Sequence, residues 1–228
     1  MKFFLDSAKL DEIKFAYNTF GIDGVTTNPR HIMLSGKPFM TAITDIANWI
    51  KEEGLEGVEK FPVSVEINPH FETTEEMVKM AREVAAISPN FVIKIPAIEA
   101  GIAAARILEK EGIRTNVTLI FSAAQAILPA KNGSLFVSPF IGWKEANGED
   151  CVEYIQNLVE IYANYGFLGK TEIICAALRT PKQIADCAIA GADIVTCGLS
   201  VYQDMMKHAY TTQGLKTFCE AWDNTEGN

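Results

Sequence analysis

The chain has 228 residues, of which 48% are hydrophobic, and its formal net charge is −9. This length and composition suffice for one well-packed domain. The acidic balance argues against general binding to nucleic acids or to anionic membranes. No apolar stretch has the length of a transmembrane helix or the form of a signal peptide. Five scattered cysteines without a C-x-x-C pair favour a reduced, cytoplasmic protein.

Short β-like runs alternate with longer helical patterns along the whole chain. We predict eight strands, over residues 2–5, 24–26, 62–67, 91–95, 115–120, 135–139, 172–176 and 193–197. Thr73-x-x-Glu76 forms a capping box at one of the intervening helices, and Pro181 suits the first turn of another. Eight strand–helix units predict an α/β fold, a single (β/α)8 TIM barrel. An open doubly wound sheet is the alternative, but no G-x-G-x-x-G occurs.

The last helical pattern is additional to the eight units. It covers residues 212–222, and Leu215, Phe218, Cys219 and Trp222 form one apolar face at helical spacing. This face could cap its own barrel or dock on a neighbouring subunit. We therefore expect one barrel domain over residues 1–222, including this helix, and a loose tail over residues 223–228.

Polar side chains follow the apolar runs at the ends of the predicted strands, where the active site of such a barrel forms. These residues are Asp6, Thr26, Asn28, Glu66, Lys94, Asn116, Thr118, Ser138, Arg179 and Cys197. One or two polar residues at strand ends would be ordinary, because a strand commonly gives way to a polar loop there. A lysine with two carboxylates, amides and hydroxyls at one mouth is what imine chemistry on a polyol needs.

Lys94 is the most informative of these residues, because it lies inside the apolar run of residues 91–96. Desolvation favours the neutral amine, which attacks a carbonyl to form a Schiff base. Glu66 can then move protons, directly or through a water that Thr118 also holds, and Asp6 can take the substrate's hydroxyl proton. The alternatives are a lysine that extends its amine to solvent, a Glu66 that keeps Lys94 charged and inert, and an Asp6 that caps a helix.

Four motifs resemble the transaldolase family, and most closely its short-chain branch, which also contains fructose-6-phosphate aldolase. They are VTTNP (25–29), VIKIP (92–96), TNVTLIFS (115–122) and SPFIG (138–142). The resemblance implies a (β/α)8 barrel with Lys94 as the Schiff-base lysine and Asp6, Glu66 and Thr118 as the acid–base group. It also implies sugar contacts from Asn28, Asn116 and Ser138. We expect Thr26 and Phe140 to bind the sugar as well, and no cofactor or metal, because three isolated histidines give no metal-ligand spacing. Short-chain members form homo-oligomers, pentamers or decamers, through the C-terminal helix.

Two positions separate transaldolases from aldolases within this branch. The aldolases tend to carry glutamine where this chain has Glu66, and tyrosine where it has Phe140. Phenylalanine cannot donate the proton that helps to release a bound dihydroxyacetone unit. The resemblance therefore favours transfer to an acceptor aldehyde over release.

The region expected to bind the far end of the sugar departs from the family pattern. Where transaldolases carry a phosphate-binding arginine and a serine, this chain has Trp143 and Ala177, while Arg179 remains and Arg30 replaces a usually small residue. Lys144 or Arg30 could substitute for the missing arginine and keep a phosphate, or the tail could be uncharged. We expect instead a sulfonate, which carries one negative charge and needs fewer cations. These changes resemble what a transaldolase for 6-deoxy-6-sulfofructose would need.

A function of another class is also compatible with a barrel of this type. The chain could be a sugar-phosphate isomerase or epimerase in which Glu66 is the base and Lys94 only an electrostatic clamp, or a catalytically silent sugar-binding protein. An isomerase would need a partner acid or a metal, and no histidine or metal-ligand cluster is expected at a strand end. An intact set of Lys94, Glu66, Asp6 and Thr118 disfavours a silent protein.

Overall fold

A computed structural model describes residues 1–225 and shows a closed barrel of eight parallel strands, each paired with its neighbours in chain order. The strands are β1 (Lys2–Asp6), β2 (Gly24–Thr26), β3 (Val63–Glu66), β4 (Phe91–Pro96), β5 (Thr115–Ile120), β6 (Phe136–Pro139), β7 (Glu172–Leu178) and β8 (Ile194–Cys197). All eight predicted strands are present, with ends that differ by two residues or fewer. The predicted (β/α)8 barrel is confirmed.

Helices cover the outer face of the barrel and continue beyond its last strand. They are α1 (Leu10–Phe20), α2 (Pro29–Ser35), α3 (Phe39–Glu52), α4 (Thr74–Ala85), α5 (Glu99–Lys110), α6 (Ala123–Lys131), α7 (Ile141–Ala146), α8 (Cys151–Asn164), α9 (Pro181–Ala190), α10 (Leu199–Met205) and α11 (Ala209–Asp223). Within residues 1–225, no helix combines the length and the apolar character needed to cross a bilayer.

The helix starts follow the local sequence signals. Thr73 and Glu76 form the predicted capping box of α4, and Pro181 occupies the first turn of α9. The additional C-terminal helix is α11, which starts three residues earlier than predicted because the side chain of His208 caps it. Asp223, placed in the tail by the sequence, ends this helix, and residues 226–228 of the predicted tail lie outside the described residues.

The interior of the barrel has two layers with different chemistry. An apolar cluster fills the half nearest the strand starts, and it comprises Phe4, Val92, Phe136, Ile174 and Ile194. Because side chains on a strand alternate between faces, the residues two positions further along also point inward. On β1, β4 and β6 these are Asp6, Lys94 and Ser138. A layer of polar side chains therefore lies directly above a water-excluding apolar plug.

The other face of each strand packs against the helices. Leu5, Ile93, Val137 and Val195 are fully buried there, in the main core of the molecule. Each such side chain stabilises the fold by about 1.5–3 kcal/mol relative to leaving it exposed. This outer core fixes the strands independently of the polar layer, so that the interior positions are available for function.

Two strands end in an irregularity at the barrel mouth. The registers of β5 and β7 shift near their ends, where Leu119 and Ala177 adopt φ angles of 58° and 61°. A left-handed conformation in a residue other than glycine costs of order 1–3 kcal/mol, and it recurs at functional sites. Gly142 at the start of α7 packs so closely that a Cβ there would lie 2.0 Å from the Ala177 carbonyl oxygen. The SPFIG motif needs its glycine for this contact.

Candidate active site

A cavity of about 350 Å³ opens at the carboxyl ends of the strands. Eleven of the residues that the sequence indicated line this cavity: Asp6, Thr26, Asn28, Arg30, Glu66, Lys94, Ser138, Phe140, Trp143, Ala177 and Arg179. Asn116 and Thr118 are buried next to it but are not part of its wall. The barrel thus brings nearly all of the expected residues together at one mouth.

Lys94 lies at the centre of the polar layer, and only 3% of the residue is exposed. Its Nζ lies 3.1 Å from Oε2 of Glu66 and donates a hydrogen bond of 3.1 Å to the carbonyl oxygen of Thr27. Glu66 and Lys94 are register partners on adjacent strands. These two contacts offset the desolvation of the amine. The alternative in which Lys94 extends to solvent is wrong, whereas the salt bridge with Glu66 exists.

A buried hydrogen-bonded chain lies beside Lys94. Asn116, its register partner on β5, donates from Nδ2 to the Ser64 hydroxyl at 3.0 Å, and its Oδ1 accepts from the Ser138 hydroxyl at 2.8 Å. Asn116 is therefore held between two hydroxyls below the cavity surface, and Ser138 is the member of the chain that lines the cavity. A direct substrate contact from Asn116 remains a prediction.

Thr118 has an unusual environment for a hydroxyl. Its Oγ1 is buried and has no hydrogen-bond partner among residues 1–225. Leaving a buried polar group unpaired costs about 1–3 kcal/mol. A hydroxyl that binds a substrate oxygen or a water would have such an environment, with no partner from the protein itself.

Asp6 is held by hydrogen-bond donors on both of its carboxylate oxygens. The Thr26 hydroxyl donates to Oδ1 at 2.8 Å, and Nε2 of His31 lies 3.0 Å from Oδ2. Burial raises the pKa of Asp6, but the hydrogen bond and charge of His31, the charge of Lys94 and the Thr26 hydrogen bond together lower it below its usual value. Asp6 does not cap α1, because that helix begins at Leu10 with Lys9 at its N-cap.

His31 is a cavity residue that the sequence did not indicate, because it lies in α2, five residues beyond the end of β2, and not at a strand end. Its side chain lines the cavity beside Asp6. It lies three residues beyond Asn28, where strand periodicity gives no signal. However, Asn28 caps α2 by accepting a hydrogen bond from the His31 N–H at 3.0 Å, and the first helical turn directs His31 back towards β1.

Cys197 is not a mouth residue, contrary to the sequence expectation. It is buried in the outer core, against the helices. Its neighbour Thr196 lines the cavity instead, and the two hydroxyls of Thr196 and Thr26 lie 2.6 Å apart. The error is one residue on a strand, which reverses the face on which a side chain lies.

The outer part of the cavity carries two arginines and an aromatic cluster. Arg30 and Arg179 are exposed, line the cavity and have no ion-pair partner in the described part of the chain. Trp143 is 53% exposed, and its ring lies 5.4 Å from that of Phe140 and 5.9 Å from that of Phe121. This region offers guanidinium donors and an indole edge to an anionic group.

Lys144 does not replace the missing arginine of the tail region. Its amine donates to the Phe121 carbonyl at 3.1 Å, pairs with Glu149, and lies 4.9 Å from the centroid of the Tyr154 ring. It is not part of the cavity wall. Of the two substitutes that the sequence left open, only Arg30 is in place to meet a substrate.

Comparison with known proteins gives a consistent result. Residues 3–227 match the transaldolase/fructose-6-phosphate aldolase family. The chain is 57% identical over 225 residues, 99% of its length and 96% of theirs, to proteins named 6-deoxy-6-sulfo-D-fructose transaldolase from Priestia aryabhattai and from Priestia megaterium. It is also 42% identical, over 98% of both chains, to a protein from Dictyoglomus turgidum named "Probable transaldolase".

Proposed function

Because this chain belongs to the transaldolase/fructose-6-phosphate aldolase family, we propose that it is a transaldolase that transfers a dihydroxyacetone unit through a Schiff base on Lys94. One observation carries the assignment of the residue. The Lys94 amine is on the cavity wall, is almost completely removed from solvent and has a carboxylate at 3.1 Å. A desolvated amine next to a proton carrier is what imine formation requires.

The first half-reaction cleaves the donor ketose. The neutral Lys94 amine attacks the C2 carbonyl, and the carbinolamine loses water as Glu66 supplies and removes protons, with Thr118 holding the departing water. Asp6 then takes the proton of the C4 hydroxyl while the C3–C4 bond breaks. The C4 oxygen becomes an aldehyde, and the electron pair of the broken bond enters the imine system to give an enamine.

The second half-reaction reverses these steps on the acceptor. The enamine carbon attacks the acceptor aldehyde, and Asp6 returns its proton to the new hydroxyl. Water then hydrolyses the imine and frees Lys94. Phe140 has no hydroxyl to protonate the enamine, so the bound three-carbon unit waits for an acceptor.

The hydroxyls of the sugar need partners on the cavity wall. Ser138 and Thr26 line it. The side-chain Oδ1 of Asn28 accepts the helix-capping hydrogen bond from the His31 N–H, which leaves the side-chain amide nitrogen of Asn28 for the substrate. Asn116 supports this set by fixing Ser138. We assign these four residues to binding of the dihydroxyacetone end.

For the other end of the donor, we propose a sulfonate, as in 6-deoxy-6-sulfofructose. The relatives of 57% identity carry that substrate in their name. The chemistry of Arg30, Arg179 and Trp143 fits it, because a monoanion needs charge-assisted contacts from guanidinium groups but not full neutralisation of two charges. Ala177 contributes only a methyl group where a hydroxyl would favour phosphate.

A transaldolase for fructose 6-phosphate is the second candidate. Arg30 and Arg179 both line the cavity without an ion-pair partner in the described residues, and two guanidinium groups could hold a phosphate dianion. This alternative keeps the same chemistry at Lys94 and changes only the donor.

One donor panel tests the proposal. Fructose, fructose 6-phosphate and 6-deoxy-6-sulfofructose are compared with and without glyceraldehyde 3-phosphate as acceptor. We expect transfer with the sulfonated ketose as the preferred donor, and without acceptor at most one equivalent of aldehyde per active site. Sustained release of dihydroxyacetone would indicate an aldolase, a preference for fructose 6-phosphate would select the second candidate, and isomerised ketose without cleavage would indicate an isomerase.

We also propose that the protein is a cytoplasmic homo-oligomer that associates through α11. No residue of this helix is buried, and Leu215, Phe218 and Trp222 are each more than 60% exposed. The five cysteines are free thiols, as a reducing compartment would keep them. Sedimentation of the intact chain and of a Phe218→Glu variant tests the association, which we expect to be a pentamer or decamer that the variant weakens. A wild-type chain that sediments as a monomer would contradict the assembly.

A further inference from the structure

Asp6 and His31 lie in a wall shared by two cavities. Both residues line the main cavity, and both also line an outer cleft of about 340 Å³ whose other residues include Ser7, Lys9 and Glu12. Among the residues of the main cavity, Asp6 is the carboxylate to which the proposed reaction assigns the carbon–carbon bond step. The reaction as described assigns nothing to His31.

The contact between them fixes the orientation of the carboxylate. Nε2 of His31 lies 3.0 Å from Oδ2 of Asp6, and the Thr26 hydroxyl donates to Oδ1 at 2.8 Å. Each oxygen thus has one protein donor and keeps a further lone pair for a substrate hydroxyl. A carboxylate partner places a hydrogen on Nε2, so that His31 is the donor of this bond.

Both donors are themselves held in place. The backbone N–H of His31 is bonded to the Asn28 side chain at 3.0 Å, in the first turn of a helix that starts with Pro29. The Thr26 hydroxyl lies 2.6 Å from that of Thr196 on β8. Asp6 on β1 is therefore clamped from β2 and β8 on one side and from α2 on the other, which a catalytic carboxylate needs and an ordinary surface ion pair does not.

We propose that His31 is a positioning residue for the cleavage and formation of the carbon–carbon bond, acting by fixing the Asp6 carboxylate towards the C4 hydroxyl of the donor. This inference rests on the proposed function. In cleavage, Asp6 removes the hydroxyl proton, the O–H pair becomes the C=O bond of the aldehyde, and the C3–C4 pair enters the imine. In bond formation, the same proton returns from Asp6 to the acceptor oxygen. His31 keeps its own proton throughout.

The electrostatics of the site agree with this division of work. Burial raises the pKa of Asp6, but His31, Lys94 and Thr26 together hold it below its usual value, so the carboxylate is ionised and able to accept a proton. Lys94 fulfils this electrostatic role only while its amine is protonated. After imine formation by a neutral amine, the hydrogen bond from His31 continues to hold the carboxylate.

Two substitutions at His31 distinguish an effect of its hydrogen bond to Asp6 from an effect of side-chain size. In His31→Gln, the amide nitrogen reaches about as far as Nε2 and can donate to Asp6. In His31→Asn, the amide reaches only about as far as Nδ1 and leaves Oδ2 of Asp6 without its donor. His70, an exposed residue in the loop after β3, gives the matched control as His70→Asn.

Two reactions of the same enzyme isolate the step. Borohydride trapping of free dihydroxyacetone on Lys94 needs imine formation but no carbon–carbon bond cleavage, whereas transfer needs both. We expect His31→Asn to lower the kcat of transfer by about tenfold or more, with KM and trapping changed by less than about twofold. His31→Gln should recover most of that loss, and His70→Asn should resemble the wild type.

Each other outcome overturns the proposal. An equal loss of trapping and transfer in His31→Asn would make His31 a general support of the site, and a rise in KM alone would make it a binding residue. Normal transfer in His31→Asn would leave it without a role, and an equal loss in both His31 variants would refute the hydrogen bond as the cause. Trapping in a variant also shows that its site is folded.

A double variant adds an independent check. If His31 acts through Asp6, then His31→Asn should lower transfer much less in an Asp6→Asn background than in the wild type. Full additivity would contradict the proposal. A wild-type enzyme that shows neither trapping nor transfer would instead refute the proposed function, whatever the His31 variants do.

Discussion

The floor and the rim of the cavity differ in how their polar groups are satisfied. The floor comprises Asp6, Thr26, Glu66, Lys94 and Ser138, with Asn116 and Thr118 buried next to it, and each of these side chains except Thr118 has a hydrogen-bond or ion-pair partner between 2.6 and 3.1 Å. The rim comprises Arg30, Trp143 and Arg179, whose side chains are exposed and have no such partner among residues 1–225.

This difference indicates which part of the site is organised before a substrate binds. The floor is largely removed from solvent because it sits on an apolar plug, and its side chains, which come from the six strands β1 to β6, are held by hydrogen bonds and ion pairs, which suits chemistry that needs fixed proton carriers. The guanidinium groups of the rim have no ion-pair partner in the described residues, so they can bind the anionic tail of the donor. Changes at the floor should therefore abolish turnover with every donor, whereas changes at the rim should alter the ranking of donors.

The largest effect is expected from the floor at Lys94. Lys94→Arg should lower transfer with all donors on the order of 10³-fold or more, because a guanidinium does not form the imine. Steady-state transfer rates with each donor give the measurement, and Lys131→Arg on the exposed face of α6 is the matched control. Transfer at a normal rate by Lys94→Arg would refute the Schiff-base mechanism.

A smaller floor effect is expected at Glu66. Glu66→Gln keeps the size of the side chain but cannot carry a proton, so imine formation should slow by roughly 10²-fold while donor binding changes little. Single-turnover trapping at several donor concentrations separates the two quantities, with the exposed Glu56→Gln as control. A raised KM at unchanged turnover would show that Glu66 is only an electrostatic clamp for Lys94.

The rim should discriminate between charged and uncharged donors. Arg179→Ala should lower kcat/KM by about tenfold for 6-deoxy-6-sulfofructose and fructose 6-phosphate, which corresponds to 1.4 kcal/mol for a contact that solvent partly screens. Fructose, without a charged tail, should be almost unaffected. Arg106→Ala on the exposed side of α5 is the control. An equal loss for all three sugars would place Arg179 in the chemistry and erase the distinction between floor and rim.

Restoring groups suited to a phosphate should reverse the donor ranking. Trp143→Arg combined with Ala177→Ser adds a cation and a hydroxyl, and the ratio of kcat/KM for fructose 6-phosphate to that for 6-deoxy-6-sulfofructose should rise several-fold. The same assay on the two single variants shows whether the effects add. An unchanged ratio would mean that neither position determines which tail group the enzyme prefers.

The smallest effect is expected at the boundary between floor and rim. Phe140→Tyr introduces a hydroxyl on the cavity wall, and release of dihydroxyacetone without acceptor should rise several-fold while transfer is retained. Phe121→Tyr is the control, because its ring contacts that of Phe140 but does not line the cavity. Unchanged release in Phe140→Tyr would show that something other than this hydroxyl limits release.

Most of the floor could be predicted from the sequence, because a polar residue within or just after an apolar strand stands out and the alternation of side chains indicates the face on which it lies. Lys94 lies within one apolar run and Glu66 near the end of another, and the two become register partners. The prediction failed at Cys197, where the strand end was predicted correctly but the side chain of its last residue faces the helices, and Thr196, one residue earlier, lines the cavity. A shift of one residue along a strand reverses the face, and in the run from 194 to 197 the small polar side chains of Thr196 and Cys197 do not indicate which of the two points inward.

The residues that the sequence missed depend on tertiary placement. His31 reaches Asp6 because Asn28 caps α2 and the first turn points back to β1, a path that no spacing along the chain reveals. The left-handed conformations of Leu119 and Ala177 are equally invisible, since neither residue is a glycine. The sequence also could not show whether Lys144 or Arg30 meets the tail of the substrate, because both follow strand ends. Lys144 is excluded only by its contacts with Phe121 and Tyr154, which hold it outside the cavity.

The central claim is that the buried amine of Lys94 carries the three-carbon unit of the donor. The most direct measurement is reduction of the wild-type enzyme with borohydride in the presence of 6-deoxy-6-sulfofructose, followed by peptide mass mapping. We expect one reduced dihydroxyacetone unit per chain, on the peptide that contains Lys94. A label on any other lysine, or no label under conditions in which transfer proceeds, would contradict it.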